Sequence, residues 1–291
     1  MVARQLLGIT KPDDDRLTDH LIRERRRKTR LDGSVDGALQ ETAWSAWELL
    51  RLGCTRGHAG LDRMIGFLVS RQDKPGRFGE GCSERRHPIA NCKHFMSGFF
   101  SPGTVDRAIA PLALPTQAVI LTEFGARYAV SCMALRTVLR AGEDRRTAVL
   151  AHIESLFHLV DRWQDQSQFP DSMDVVFTTL GALGLAPLEY RDRVGKTADA
   201  IIGLQNAQGA WDGTSVFHAV DGMMAIRGDA ARRAIGRALP QMLTLQQESG
   251  AFDDADSDEL ALIALRAVKS QAPVRATVRK APGRRLPTPS S

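Results

Sequence analysis

Residues 204–213 read "LQNAQGAWDG" and residues 245–254 read "LQQESGAFDD": a glutamine, a few polar residues, a glycine, an aromatic ring and an acid. The order recurs with variations in "RLDGSVDG" from Arg30, "RQDKPGRFGEG" from Arg71 and "WQDQSQFPD" from Trp163. Before these stretches apolar residues fall at i, i+3, i+4 and i+7, as in "LDRMIGFLVS" from Leu61 and "ALPQMLTL" from Ala238, the spacing of a half-buried helix. After each comes a second helical pattern, directly or beyond an insertion, such as "ETAWSAWELLRLG" from Glu41 and "SMDVVFTTLGALG" from Ser172. Several end in the glycine that a helix C-terminus favours. About five units of helix, turn and helix result, with a period of roughly 40 residues, and such units bury their apolar faces only by stacking on their neighbours. The second helices are the more apolar and are expected to form an inner ring. The charged first helices, such as "YRDRVGKTADAIIG" from Tyr190, are expected outside it. The expected fold class is therefore all-α, an α/α toroid of five to six helical hairpins, with an open superhelix of helical pairs as the rival.

Composition agrees with a folded core. The chain has 291 residues, 43% hydrophobic and 25% charged, and no apolar run approaching the ~20 residues of a membrane helix. Its first residues, "MVARQLLGITKPDDD", lack the apolar region of a signal peptide, so a cytoplasmic location with reduced thiols is expected. The net charge is +5, but Lys269, Arg275, Arg279, Lys280, Arg284 and Arg285 stand in a Pro- and Ser-rich segment without acids. Removing those six leaves the body near −1, which argues against nucleic acid as a partner. The basic run Arg23 to Arg30 follows Asp13, Asp14 and Asp15, the order that suits a helix dipole. The expected organisation is an N-terminal extension at 1–12, a helical body at 13–268 with an insertion at 79–122, and a disordered basic tail at 269–291.

The turns "QNAQGAWDG", "QQESGAFDD" and "QDKPGRFGEG" resemble the Gln-Trp repeat motif of squalene cyclases, which protein prenyltransferase β-subunits share in looser form. The resemblance covers most of Asp13 to Val268. It implies the toroid and a central cavity holding an isoprenoid or other apolar small molecule. It does not specify a reaction, because that fold hosts cyclases, prenyltransferases and non-catalytic domains. Physically, the Gln amide is suited to satisfy backbone groups at helix ends, and the aromatic ring to fill the gap between repeats.

The insertion carries Cys82, His87, Cys92 and His94 within thirteen positions, broken by Pro88 and Asn91. A loop with these four ligands can wrap tetrahedral Zn²⁺. The alternatives are reduced cysteines beside surface histidines, or a Cys82–Cys92 disulfide. With all four bound the site is closed and structural; with a histidine released it has an open, reactive position. Prenyltransferases draw their zinc ligands from separated parts of the barrel, so that role is not carried over. Phe95, Met96, Phe99 and Phe100 follow as an apolar wedge, read as a lid over one mouth of the ring or a plug in it.

Two acidic constellations complete the reading. "DSDELALIAL" from Asp256 resembles the Asp-x-Asp-Asp motif of class II terpene cyclases, which makes Asp258 the proton donor and Asp256 and Glu259 its supports. Glu259 departs from the motif's last aspartate. Capping of a helix start is the alternative, and Asp171 and Asp174 repeat that acidic start in "PDSMDVVF". His218 and Asp221, three apart on an inner helix, are a candidate proton-handling pair. Trp44, Trp47, Tyr128, Phe177 and Phe217 are expected on inner helices. Two functions follow: an isoprenoid-binding or isoprenoid-converting protein, or a non-catalytic module whose zinc-pinned insertion contacts a protein partner. Elemental analysis of the purified chain is expected to show about one zinc per chain, lowered in Cys92→Ser. Metal-free protein whose melting temperature ignores chelators would refute the site.

Overall fold

The computed structural model describes residues 2–71, 108–160, 171–252 and 258–272. The expected zinc ligands Cys82, His87, Cys92 and His94, the apolar wedge after them and Asp256 lie outside the described residues. These are mostly helical: α1 (Val2–Leu7), α2 (Asp14–Arg27), α3 (Leu39–Arg51), α4 (Ala59–Ser70), α5 (Glu123–Arg140), α6 (Thr147–Val160), α7 (Ser172–Leu183), α8 (Arg191–Ile202), α9 (Val216–Met224), α10 (Asp229–Thr244) and α11 (Glu259–Gln271). A short antiparallel hairpin, β1 (Leu112–Ala113) and β2 (Val119–Ile120), precedes α5. No described helix is long and apolar enough to cross a membrane.

The helices pair as the repeat requires. One row runs α3, α5, α7, α9, α11, each packed on the next. The alternate helices lie behind this row: α4 touches α3 and α5, α6 touches α5 and α7, α10 touches α9 and α11, and α8 touches α7 and α10. Burial follows from position. In α7, flanked on both sides and from behind, every residue from Asp174 to Leu183 is buried. Glycine permits that closeness: a Cβ at Gly222 of α9 would stand 2.6 Å from the Phe177 carbonyl oxygen of α7. Tyr128, Phe157, Phe177, Trp211 and Phe217 are fully buried, and each such side chain is worth about 1.5–3 kcal/mol over exposure. The two ends of the row are joined by Arg51 of α3 and Glu259 of α11, 2.6 Å apart.

The turns share one backbone design. In three of them a residue donates its N–H to the carbonyl four ahead while the glycine three ahead donates back: Arg30 to Ser34 with Gly33 to Arg30, Asn206 to Ala210 with Gly209 to Asn206, and Gln247 to Ala251 with Gly250 to Gln247. The residue after this loop is buried or packed inward: Val35, Trp211 and Phe252 respectively. Gly33 and Gly209 have φ of +89° and +81°, and each sits against the next unit's rear helix. A Cβ there would collide with the carbonyl of Arg63 in α4 or of Arg237 in α10. The Gln amide acts as its type suggested: Gln205 Nε2 donates to the carbonyls of Gly209 (2.6 Å) and Ala234 (2.8 Å), while Arg237 donates to Gln205 Oε1. Trp211 donates its ring N–H to the Ile201 carbonyl at 2.8 Å and stands edge-on to Phe177.

The two ends of the body are tied to what lies beyond them, and the C-terminal boundary differs from expectation. The N-terminal segment contains α1, which packs on α11 and is tied to α2 by Arg4–Asp14. At the other end α11 continues to Gln271, whose amide donates to the Arg232 carbonyl of α10 at 2.9 Å. The cut expected at 269 therefore falls inside a packed helix. Composition hid this, because the prolines that end the helical pattern begin only at Pro273.

Gly209→Ala is expected to destabilise the chain by at least ~2 kcal/mol, combining left-handed strain with the collision at Arg237. Gln205→Ala, which strips the Ala234 and Gly209 carbonyls of a donor, is expected to cost about 1–3 kcal/mol. Chemical denaturation of both variants checks the order; a Gly209→Ala protein as stable as the parent would contradict it.

Candidate functional site

The hairpin places a polar group against α7 and α9. Its tip, between β1 and β2, closes through Leu114 N–H donating to the Ala118 carbonyl at 2.8 Å, and Thr116 on that tip is buried. Thr116 Oγ1 lies 2.8 Å from Nδ1 of His218 on α9. Nε2 of the same ring lies 2.9 Å from the Asp174 carbonyl oxygen and 3.2 Å from Thr178 Oγ1, both on α7. Burial pushes the His218 imidazole below its ordinary pKa, opposed by the Asp174 carbonyl and carboxylate and by Asp221. Asp174 is itself raised by burial, against the Thr214 hydroxyl that donates to it at 2.6 Å and against His218.

His218 and Asp221, the candidate proton-handling pair, are bonded to different partners. His218 is held by the hairpin and α7, whereas Asp221 accepts from Arg136 of α5 at 2.5 and 3.3 Å. Burial raises the Asp221 carboxyl, but Arg136, with smaller help from His218 and Arg266, leaves it below the usual carboxylate range. The guanidinium offers two aligned donors and a full charge, which an imidazole cannot match. The acids of the α7 start likewise reach beyond their own helix. Asp171 accepts from the backbone N–H groups of Leu121 and Thr122 and from the Thr122 hydroxyl, joining the α7 start to that of α5.

A cavity of about 850 Å³ lies at the seam between the first and last units. Leu21, Trp44, Leu114, Pro115 and Leu262 give it an apolar wall. Its charged wall alternates in sign: Arg25 pairs with Glu48 at 2.7 Å and Arg51 with Glu259 at 2.6 Å. Burial raises the Glu48 carboxyl, Arg25 and Arg51 pull it down, and neighbouring Glu259 adds to the rise. Asp258 stands exposed on the rim, at the start of α11, where its carbonyl accepts from Leu262 N–H and its side chain makes no capping bond. Glu259 faces Arg51 instead of supporting Asp258. Of the aromatic residues expected on inner helices, Trp44 lines this cavity, while Tyr128, Phe177 and Phe217 are fully buried in the core. Tyr128 is bonded there to Thr179 at 2.8 Å.

Among the described residues, no group of three or more His, Cys, Asp or Glu is placed to hold a metal ion. The described cysteines, Cys54 and Cys132, are buried free thiols, and burial pushes Cys132 up to about 12. Sequence reading passed over Glu48, Arg51, Arg136 and Arg266. Their signal was present as charged side chains within helices otherwise apolar enough to be inner. Comparison with family models, curated proteins and solved structures finds no match to the chain.

The buried histidines set a pH dependence. Burial lowers His152 to about 3 and also lowers His218. Each binds its proton more readily in the unfolded chain, so its contribution is complete above the ordinary value of about 6.5 and is lost as pH falls. Stability is expected to drop between about pH 6.5 and 5, each histidine contributing up to ~1.4 kcal/mol per unit. Asp174, raised by burial, acts in the opposite sense at lower pH. Denaturant midpoints across this range should show a shallower slope for His152→Leu than for the parent. Equal slopes would refute the assignment.

Proposed function

We propose that the chain is an α/α toroid of the squalene cyclase and prenyltransferase-like class that holds an apolar small molecule, of isoprenoid type, in the seam cavity. The observation that carries this reading is the cavity itself: a volume suited to a lipid-sized ligand, with Trp44, Leu21 and Leu262 on one side and ion pairs on the other. The toroid is supported by the inner row, whose ends meet through Arg51–Glu259. Binding is favoured over polyene cyclisation, since Tyr128, Phe177 and Phe217 are spent on the core and offer no ring face to a carbocation. In a catalytic version Asp258, with Asp256, supplies the acid, and the Cys82, His87, Cys92 and His94 zinc pins the insertion. The rival module reading, in which that insertion contacts a protein, draws support from the hairpin that seals His218 from solvent.

The test is solvent extraction and mass spectrometry of protein purified from cells, followed by titration with farnesol, geranylgeraniol and squalene monitored by Trp fluorescence. A co-purifying lipid and saturable quenching are expected, with Leu262→Glu weakening binding by about tenfold or more. Conversion of a polyene by the parent but not by Asp258→Asn would establish the catalytic version. No lipid and no saturable binding would overturn the reading in favour of the module.

A further inference from the structure

A second cavity, of about 460 Å³, opens where the inner helices end. Trp47 and Arg51 of α3, Arg136 and Arg140 of α5, Asp221 of α9, and Arg266 and Lys269 of α11 line it, with Leu185 just beyond α7 and α1 across its opening. Lys269 donates to the Leu6 carbonyl of α1. Five cations thus face one lining carboxylate, Asp221, with Glu259 behind Arg51. Arg51 and Arg136 have those two acids, but Arg266 and Arg140 make no hydrogen bond or ion pair with any described residue.

We propose that this cavity binds a small divalent oxyanion, the phosphate group or paired carboxylates of a soluble ligand. The cluster is built before any ligand arrives. The Arg136 guanidinium lies over the Trp47 ring, 4.7 Å from its centre, and against Gly181 of α7, where a Cβ would meet Nη1 at 3.3 Å. Its bidentate bond to Asp221 fixes the plane. Helix C-termini carry partial negative charge and attract guanidinium groups, which accounts for cations at the ends of α3, α5 and α11. It leaves unexplained why Arg266 stands partly buried beside Arg51 and Arg136. Burial and the repulsion of Arg51 lower its pKa, Arg136 adds to that repulsion, and Asp221 and Glu259 oppose it. A divalent anion between the three guanidinium groups relieves that repulsion and supplies the acceptors that Arg266 lacks.

This inference rests on a different cavity from the one proposed for the apolar ligand, and either can fail alone. Its test uses the full chain, with inorganic phosphate and succinate as probes and sodium chloride at matched ionic strength as control, followed by calorimetry and thermal melting. Saturable binding and a rise in melting temperature beyond the chloride control are expected, tighter for whichever anion the cavity prefers. Arg266→Gln should weaken binding by about tenfold or more. Arg232→Gln, an exposed partner of Asp229 on α10, should leave it unchanged. Should Arg266→Gln fail to fold, Arg140→Gln at the exposed end of α5 serves in its place. Binding no better than chloride would overturn the proposal. So would binding undiminished in both Arg266→Gln and Arg140→Gln, since it would then belong to the basic segment after residue 272.

Discussion

A glycine backbone pressed against the next unit's rear helix sets the stacking on which the rest of the structure depends. Gly33 meets the Arg63 carbonyl and Gly209 meets that of Arg237, both in left-handed conformation and at a distance no side chain permits. The contact has little energy of its own. Its effect is geometric: it holds the turn flush with the neighbour, so that Val35 or Trp211, two residues on, enters the gap between units. Only with that gap filled can the front helices close to the spacing at which Gly222 touches the Phe177 carbonyl. Dispersion and apolar burial then supply the stabilising energy.

Sequence showed this part of the molecule because the constraint acts on residue type. A left-handed turn against a carbonyl demands glycine, a gap demands a ring or a branched side chain, and both recur in the letters. The hairpin was invisible for the opposite reason. Strands of two residues give no period, and "PLALPTQAVI" contains two prolines that read as loop. The partner of His218 could not be read locally either, since Thr116 is 102 positions away and reaches it only after the hairpin folds inward. Proximity along one helix suggested Asp221, and proximity in space gave Asp221 to Arg136, which lies 85 positions away. Asp258 was read from a motif, yet the same letters open α11, and Glu259 is taken by Arg51.

The charges have an order that propensity alone does not explain. Acids gather where front helices begin, as with Asp171, Asp174, Glu123 and Glu259, and guanidinium groups where they end, as with Arg51, Arg136, Arg140 and Arg266. Helix dipoles favour that polarity. Because the five front helices of the row begin at one end and finish at the other, their separate preferences add to a difference between the two ends. At the starting end Asp171 and Asp174 take the Thr122 and Thr214 hydroxyls, Glu123 takes the N–H groups of Ile109 and Ala110 beside an ion pair with Arg127, and Glu259 reaches Arg51. At the finishing end the cations outnumber the carboxylates, and the surplus faces a cavity.

The starting end, by contrast, is sealed by a polar network with little freedom of placement. His218, the Thr116 hydroxyl and the Asp174 carbonyl are all buried, and each costs about 1–3 kcal/mol if left without a partner. Moving the hairpin by one residue would bring Pro115, which has no side-chain donor, or the longer Gln117 to the imidazole in place of the Thr116 hydroxyl. Losing the Thr116 hydroxyl leaves Nδ1 without its donor in a medium where that omission is expensive. An apolar contact would tolerate such a slip, because burial has no direction. The histidine is therefore best understood as the device that fixes the register of the hairpin on α7 and α9, and through it the position of Leu114 and Pro115 in the wall of the seam cavity.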